Sequence, residues 1–182
     1  ESDSTASLVE SVTRTLGVGL YSCRGQAGKE FAYAAAETYR RIAKPVTILY
    51  LGDWDPSGLA IPRSLEERLR RYSENEVDID FRRFAVTPEQ IMNPDVVDPE
   101  KIHDVNRADR NYRRFAVECS LVGLAPQDAV ELEAINPTVL RALMKAALVD
   151  LVDDVEMWNA TLTAEESERE LFQAIIDREF AT

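Results

Sequence analysis

The 182-residue chain contains one histidine and two cysteines, Cys23 and Cys119. A histidine/cysteine zinc cluster takes four such ligands and a disulfide framework takes several pairs, so neither organises this protein. No apolar run approaches the ~20 residues that span a bilayer, and no signal-peptide pattern is visible, so the expected surroundings are cytoplasmic, without membrane. Basic residues are outnumbered, 21 Lys and Arg against 33 Asp and Glu, for a net charge of −12. That balance argues against bulk affinity for nucleic acid, which is driven by Lys and Arg meeting phosphate. Repeats and low-complexity tracts are lacking too. What is left is 45% hydrophobic and 30% charged, the composition of an ordinary globular protein of one domain, or one domain with an appendage.

The charge is unevenly spread. Residues 126–182 hold 4 basic and 13 acidic side chains, so most of the excess lies in the last third. Arginines concentrate in "RSLEERLRR" (63–71), "FRRF" (81–84) and "NRADRNYRR" (106–114). Solvated helix faces are the plain explanation. A basic face in the first two thirds, and a second protein subunit held through the acidic C-terminal region, are the functional ones.

Hydrophobic periodicity alternates between helix and strand. "STASLVESVTRTLG" spaces Leu8, Val12 and Leu16 as a helix stopped by Gly17. "VGLYSC" (18–23) is expected to be a short strand, "KEFAYAAAETYRRIAK" a helix closed by Pro45, and "VTILYLG" a buried strand. A helix from Pro56 is expected to kink or restart at Pro62. "VDIDFRRFAV" reads as a strand and "TPEQI" as a capped helical turn. Three units follow: a core over 1–92, an irregular connection over 93–127, and a strand ("AVELEAI") with two helices over 128–182, packed on the same domain. Strands alternating with helices imply a parallel sheet with right-handed crossovers.

The best strand runs into "GDWDPSG" (52–58). In open α/β sheets ligands bind beyond the carboxyl ends of strands. Asp53 and Asp55 stand there two residues apart, able to converge on one ion. Two hard oxygen donors suit Mg²⁺, which keeps several waters and takes few protein carboxylates. The plain alternative is that they cap the next helix. Haloacid-dehalogenase-type phosphatases and nucleotide-sugar transferases also use Asp-x-Asp; the first want a different continuation, and the second make no demand for Pro-x-Gly.

"LYLGDWDPSG" (49–58) resembles the Asp-x-Asp-Pro-x-Gly segment of Toprim domains, closest to those of topoisomerase VI A subunits and the related meiotic double-strand-break proteins. The resemblance covers residues 1 to about 86, and 128–153 loosely. It implies an α/β, Toprim-like (Rossmann-like) parallel sheet flanked by helices, here with a C-terminal helical extension. It also implies Mg²⁺ (or Mn²⁺) held by Asp53 and Asp55 beside a DNA phosphate during cleavage and religation. The family's general acid/base glutamate ends its first strand, and Glu1 falls at that place. The strand itself is not in this sequence, so the expectation is a chain cut from a longer protein. Glu131 or Glu133 would be an additional acidic ligand.

The turn "CRGQAGKEF" (23–31) places Arg24 and Lys29 around Gly25 and Gly28 at a helix start, suited to a phosphate; a purely structural turn serves equally. His103 reads as a surface residue and both cysteines as buried small side chains. Trp54, between the two aspartates, is expected to turn away from them into packing. No tyrosine has a nucleophile's setting, and the winged-helix domain that carries one in type II topoisomerases is not recognisable. Two other functions stand beside this one: a Toprim-type nuclease using water, and a non-catalytic module that docks DNA or a partner.

Overall fold

The computed structural model describes residues 3–22 and 29–180. Two strands build the centre. β1 (Val46–Leu51) and β2 (Ile79–Ala85) pair in parallel, with Val46 opposite Ile79 and an irregularity after Tyr50. The crossover between them is α3 (Pro56–Tyr72), and α2 (Lys29–Ile42) precedes β1. A parallel pair with a helical crossover is the βαβ unit expected from the alternation of periods.

β1 is apolar on both sides because both of its faces are covered. Val46 and Ile48 pack with Leu65, Leu69, Ile79 and Ala32 under α2 and α3. Leu49 and Leu51 face the larger core, which joins Val9 of α1 (Asp3–Thr15) to Phe115, Val130, Leu140 and Met144. The elements behind that second core are α5 (Tyr112–Val122) and α6 (Pro137–Asp150), α4 being the short Pro88–Ile91 turn. An antiparallel pair, β3 (Ile102–Asp104) with β4 (Asp128–Val130), closes this side. The architecture is therefore mixed α/β: a small parallel sheet flanked by helices, with seven α-helices among the described residues.

Several expectations change. Residues 18–22 adopt no strand pairing, and Val18 and Tyr21 are exposed; residue 23 lies outside the described residues. The connection over 93–127 is not irregular throughout. α5 occupies its second half, its Phe115 and Cys119 are fully buried, and Gly123 ends it in the left-handed conformation at φ 76°. "AVELEAI" is a strand only to Val130 and then a 3₁₀ turn, Leu132–Ala134. α3 runs unbroken through Pro62.

The last helix, α7 (Val155–Phe180), is longer than its sequence pattern suggested, and every side chain over 163–178 is exposed. No described helix is long and apolar enough to cross a membrane.

Candidate functional site

Beyond Leu51 the chain leaves β1 but stays extended. Trp54 exchanges two backbone hydrogen bonds with Val130, its N–H donating at 2.7 Å and its carbonyl accepting at 3.0 Å. Extended backbone sends neighbouring side chains to opposite sides. Trp54 therefore goes inward, buried against Phe115 at 6.3 Å between ring centroids, as its expected packing role requires. Its indole nitrogen makes no hydrogen bond of standard geometry, and the polar group it meets is the Cys119 thiol. Burial pushes that thiol up, which makes Cys119 inert.

Asp53 and Asp55 share the outer side, each half-buried. One oxygen of each is held by a backbone N–H. Asp53 Oδ1 accepts from Leu132 N at 2.8 Å, in the 3₁₀ turn that covers the tip. Asp55 Oδ1 accepts from Gly58 N at 2.5 Å as the N-cap of α3. The capping alternative thus describes one oxygen of Asp55. The second oxygen of each carboxylate has no protein donor among the described residues.

Burial raises the Asp53 carboxyl above its ordinary pKa; the Leu132 N–H opposes that, and the charges of Asp55 and Glu133 add to it. Negative charge is concentrated here. Such a place favours either a proton or a cation.

The turn is held from behind by Arg83 of β2. Its guanidinium donates to the carbonyls of Gly52 at 2.7 Å, Gly58 at 3.1 Å, Val86 at 2.6 Å and, more closely, Asp53. It also lies over the rings of Tyr50 and Trp54, at 5.8 and 5.5 Å. A planar fork of donors suits such convergent carbonyls better than an ammonium does. "FRRF" was legible only as a basic cluster. Arg82 of that pair is exposed and paired with Asp80, whereas Arg83 is internal to the turn.

Gly58 completes the turn. A Cβ there would drive into the Asp53 carbonyl oxygen and come within 3.1 Å of Asp55 Oδ1. Ser57 Oγ donates to Asp109 Oδ2 at 3.0 Å, and Asp109 Oδ1 accepts from Asn111 N at 2.6 Å. This bond brings the 106–114 segment beside the tip. Its Arg107, Arg110, Arg113 and Arg114 are exposed and make no ion pair among the described residues. The other arginine stretch is partly consumed, with Arg63 on Glu118 and Arg70 on Glu66.

Of the residues singled out in the sequence, the structure brings Asp53 and Asp55 together. Glu133 is exposed and near enough to act on Asp53 by its charge, while Glu131 is exposed on the other side of Leu132 in the sequence. Glu1 and Arg24 lie outside the described residues; Lys29 is the exposed first residue of α2. His103 is exposed on β3. No three His, Cys, Asp or Glu side chains are grouped closely enough to hold a metal ion among the described residues. A pair of carboxylates, each with one oxygen that has no protein donor among the described residues, fits a hard, hydrated dication that draws the rest of its shell from water. Comparison with protein-family models, with curated proteins and with solved structures finds no match.

Proposed function

We propose that this chain is a Toprim-like domain that holds Mg²⁺ through Asp53 and Asp55 beside a DNA phosphate. It would act in phosphodiester cleavage and religation as part of a topoisomerase VI A-like protein. The reading rests on one observation: two carboxylates on a braced strand tip, each with one oxygen tied to a backbone N–H and one with no protein donor among the described residues. Bound there, the ion supplies charge stabilisation to the phosphate and the leaving oxygen. The chain's own groups do the rest. Arg83 and Gly58 keep the turn in one geometry, and Leu132 N–H orients Asp53. Arg107, Arg110, Arg113 and Arg114 offer the phosphate contacts that a net charge of −12 otherwise withholds. Arg24 and Lys29 are the other candidates for that role.

The test is calorimetric titration with Mg²⁺ and Mn²⁺ of the wild type and of the Asp53→Asn, Asp55→Asn double variant, followed by DNA binding at several salt concentrations. Weak binding is expected, lost in the variant. Removing three of the four arginines should lower the salt slope by about 0.9 for each phosphate no longer neutralised. Equal metal binding by both proteins would dispose of the site.

A non-catalytic docking module is the second reading. Here α7, exposed over 163–178 and strongly acidic, would receive a partner with a basic surface. DNA binding unaffected by any of the arginines, with retained affinity for such a partner, would favour it.

A further inference from the structure

Over 163–178 every side chain of α7 is exposed, yet the helix is not polar all round. Leu171, Phe172, Ile175 and Ile176 stand in the open, Phe172 at 66%. Their spacing gathers them into one stripe, and Glu168 and Glu165 continue it toward the N-terminal end of the helix. Most helical stability comes from packing an apolar face, and this one packs on nothing in its own chain.

α5 carries the opposite pattern. Its inner face buries Phe115 and Cys119. Its outer face sets Arg113, Val117 and Leu121 at four-residue intervals with Arg114 beside the first, all exposed, Leu121 at 76%. Each stripe runs from charged to apolar along the chain, basic on α5 and acidic on α7.

Laid side by side and parallel, the two match in a single register. Arg113 meets Glu168, Val117 meets Phe172 and Leu121 meets Ile176, while Arg114 and Glu165 add to the charged end. Reversing one helix would set Leu121 against Glu168 and Arg113 against Ile176. Two α5 stripes in parallel would bring arginine to arginine, and two α7 stripes glutamate to glutamate, which like charges oppose. Both stripes are exposed in the same chain, so they do not cover each other there.

We propose that α7 of one copy of this chain packs along the outer face of α5 of a second copy, parallel to it. Arg107 and Arg110 precede α5 and take no part in this contact. The proposal gives the acidic helix of the docking reading its partner, and it needs no metal at the strand tip.

Sedimentation equilibrium of the 182-residue chain over a range of concentrations tests it. Self-association is expected with a Kd on the order of 10–100 µM, for a contact built on two short stripes. Arg113→Glu with Arg114→Glu, and separately Glu165→Lys with Glu168→Lys, should each weaken it at least roughly tenfold. Mixing the two reversed proteins should restore association, because each helix then meets its opposite in the other protein; a chain carrying both reversals should associate by itself. Leu121→Ser should weaken association with all charges in place. Every substituted side chain is exposed, so helicity and the urea midpoint of each variant at low concentration should stay those of the wild type. A chain that remains monomeric at ~300 µM overturns the proposal. Association that survives the α5 reversal also overturns it and makes α7 its own partner. Reversed proteins that stay apart when mixed overturn it too. A different basic protein as the partner of α7 would be lost on the α7 reversal and untouched by the α5 reversal, so the docking reading can stand where this proposal falls.

Discussion

Pro62 and Arg83 meet at one carbonyl. In an uninterrupted α-helix the N–H of residue 62 would donate to the oxygen of residue 58. Proline has no N–H, and Arg83 Nη1 takes that place on Gly58 O at 3.1 Å. The helix therefore continues through Pro62 without an orphaned acceptor. The same guanidinium spans the carbonyls of Gly52 and Asp53, so the proline leaves open a coupling between α3 and the tip of β1.

A double-mutant cycle measures that coupling. Arg83→Met should cost about 3 kcal/mol, since it strips a partly buried turn of charge-assisted hydrogen bonds. Pro62→Ala returns an N–H to the helix, and in the Arg83→Met background it should recover about 1 kcal/mol of the loss. In the wild type the restored N–H competes with Arg83 and should bring little. The measurement is urea unfolding of the four proteins. Additive effects would separate the two residues.

Gly58 bears a stricter demand. A methyl group there meets backbone rather than a flexible side chain, so relief requires moving Asp53 itself. Gly58→Ala should destabilise by about 2–3 kcal/mol and weaken metal binding along with it. Gly17 serves as the comparison, because its φ of 66° strains alanine while nothing lies near the added carbon. Gly17→Ala should cost about 1 kcal/mol and leave metal affinity unchanged. Both are read by urea unfolding and calorimetry; parity between the two variants would remove steric closeness as the reason for Gly58.

The strand-and-turn part of this site was readable because its signals are local. An apolar run, two aspartates and Pro-Ser-Gly specify where a strand ends and a helix begins. The bracing was not readable, because Arg83 lies 30 residues from the Asp53 carbonyl and resembles its neighbour Arg82 in every local respect. Only tertiary placement distinguishes them. α5 carried a signal that its charged surroundings masked: Phe115, Cys119 and Val122 at helical spacing, followed by Gly123. The expected strand at 18–23 had strand-forming residues, yet residues 18–22 pair with no strand among the described residues. Propensity without a partner does not make a strand.

The pH dependence follows from Asp53. Burial raises its carboxyl above the ordinary 3.8, with the Leu132 N–H in opposition and the Asp55 and Glu133 charges in support. Between 3.8 and that raised value the folded chain binds more protons than the unfolded one. Stability contributed by this group therefore increases as pH falls through the window and is lost as pH rises above it. In EDTA, wild type should gain stability relative to Asp53→Asn as pH falls from the raised value toward 3.8. With Mg²⁺ the order reverses, because the ion needs the ionised carboxylate and stabilises by binding the folded state. Urea unfolding across pH, with and without Mg²⁺, shows both slopes. Parallel curves in EDTA would mean that Asp53 titrates as it does in the unfolded chain.

The 182-residue chain should leave supercoiled plasmid intact in Mg²⁺ and in Mn²⁺. Cleavage needs a nucleophile in line with the phosphate as well as charge stabilisation. Tyrosine attack of the type II kind uses a separate domain. Among the chain's own tyrosines, Tyr50 lies against the Arg83 guanidinium and Tyr72 against Arg71, so neither is presented to a substrate at the strand tip. Water attack needs a positioned base. Both oxygens of Asp109, the carboxylate joined to the turn through Ser57, are already hydrogen-bonded. Glu1 was the base expected from the sequence, and it lies outside the described residues. Misplacement of a catalytic group by about 1 Å costs on the order of 100-fold. The assay sets wild type beside the Asp53→Asn, Asp55→Asn variant under both metals. Nicking by the wild type that the variant lacks would make the chain a metal-dependent nuclease in its own right.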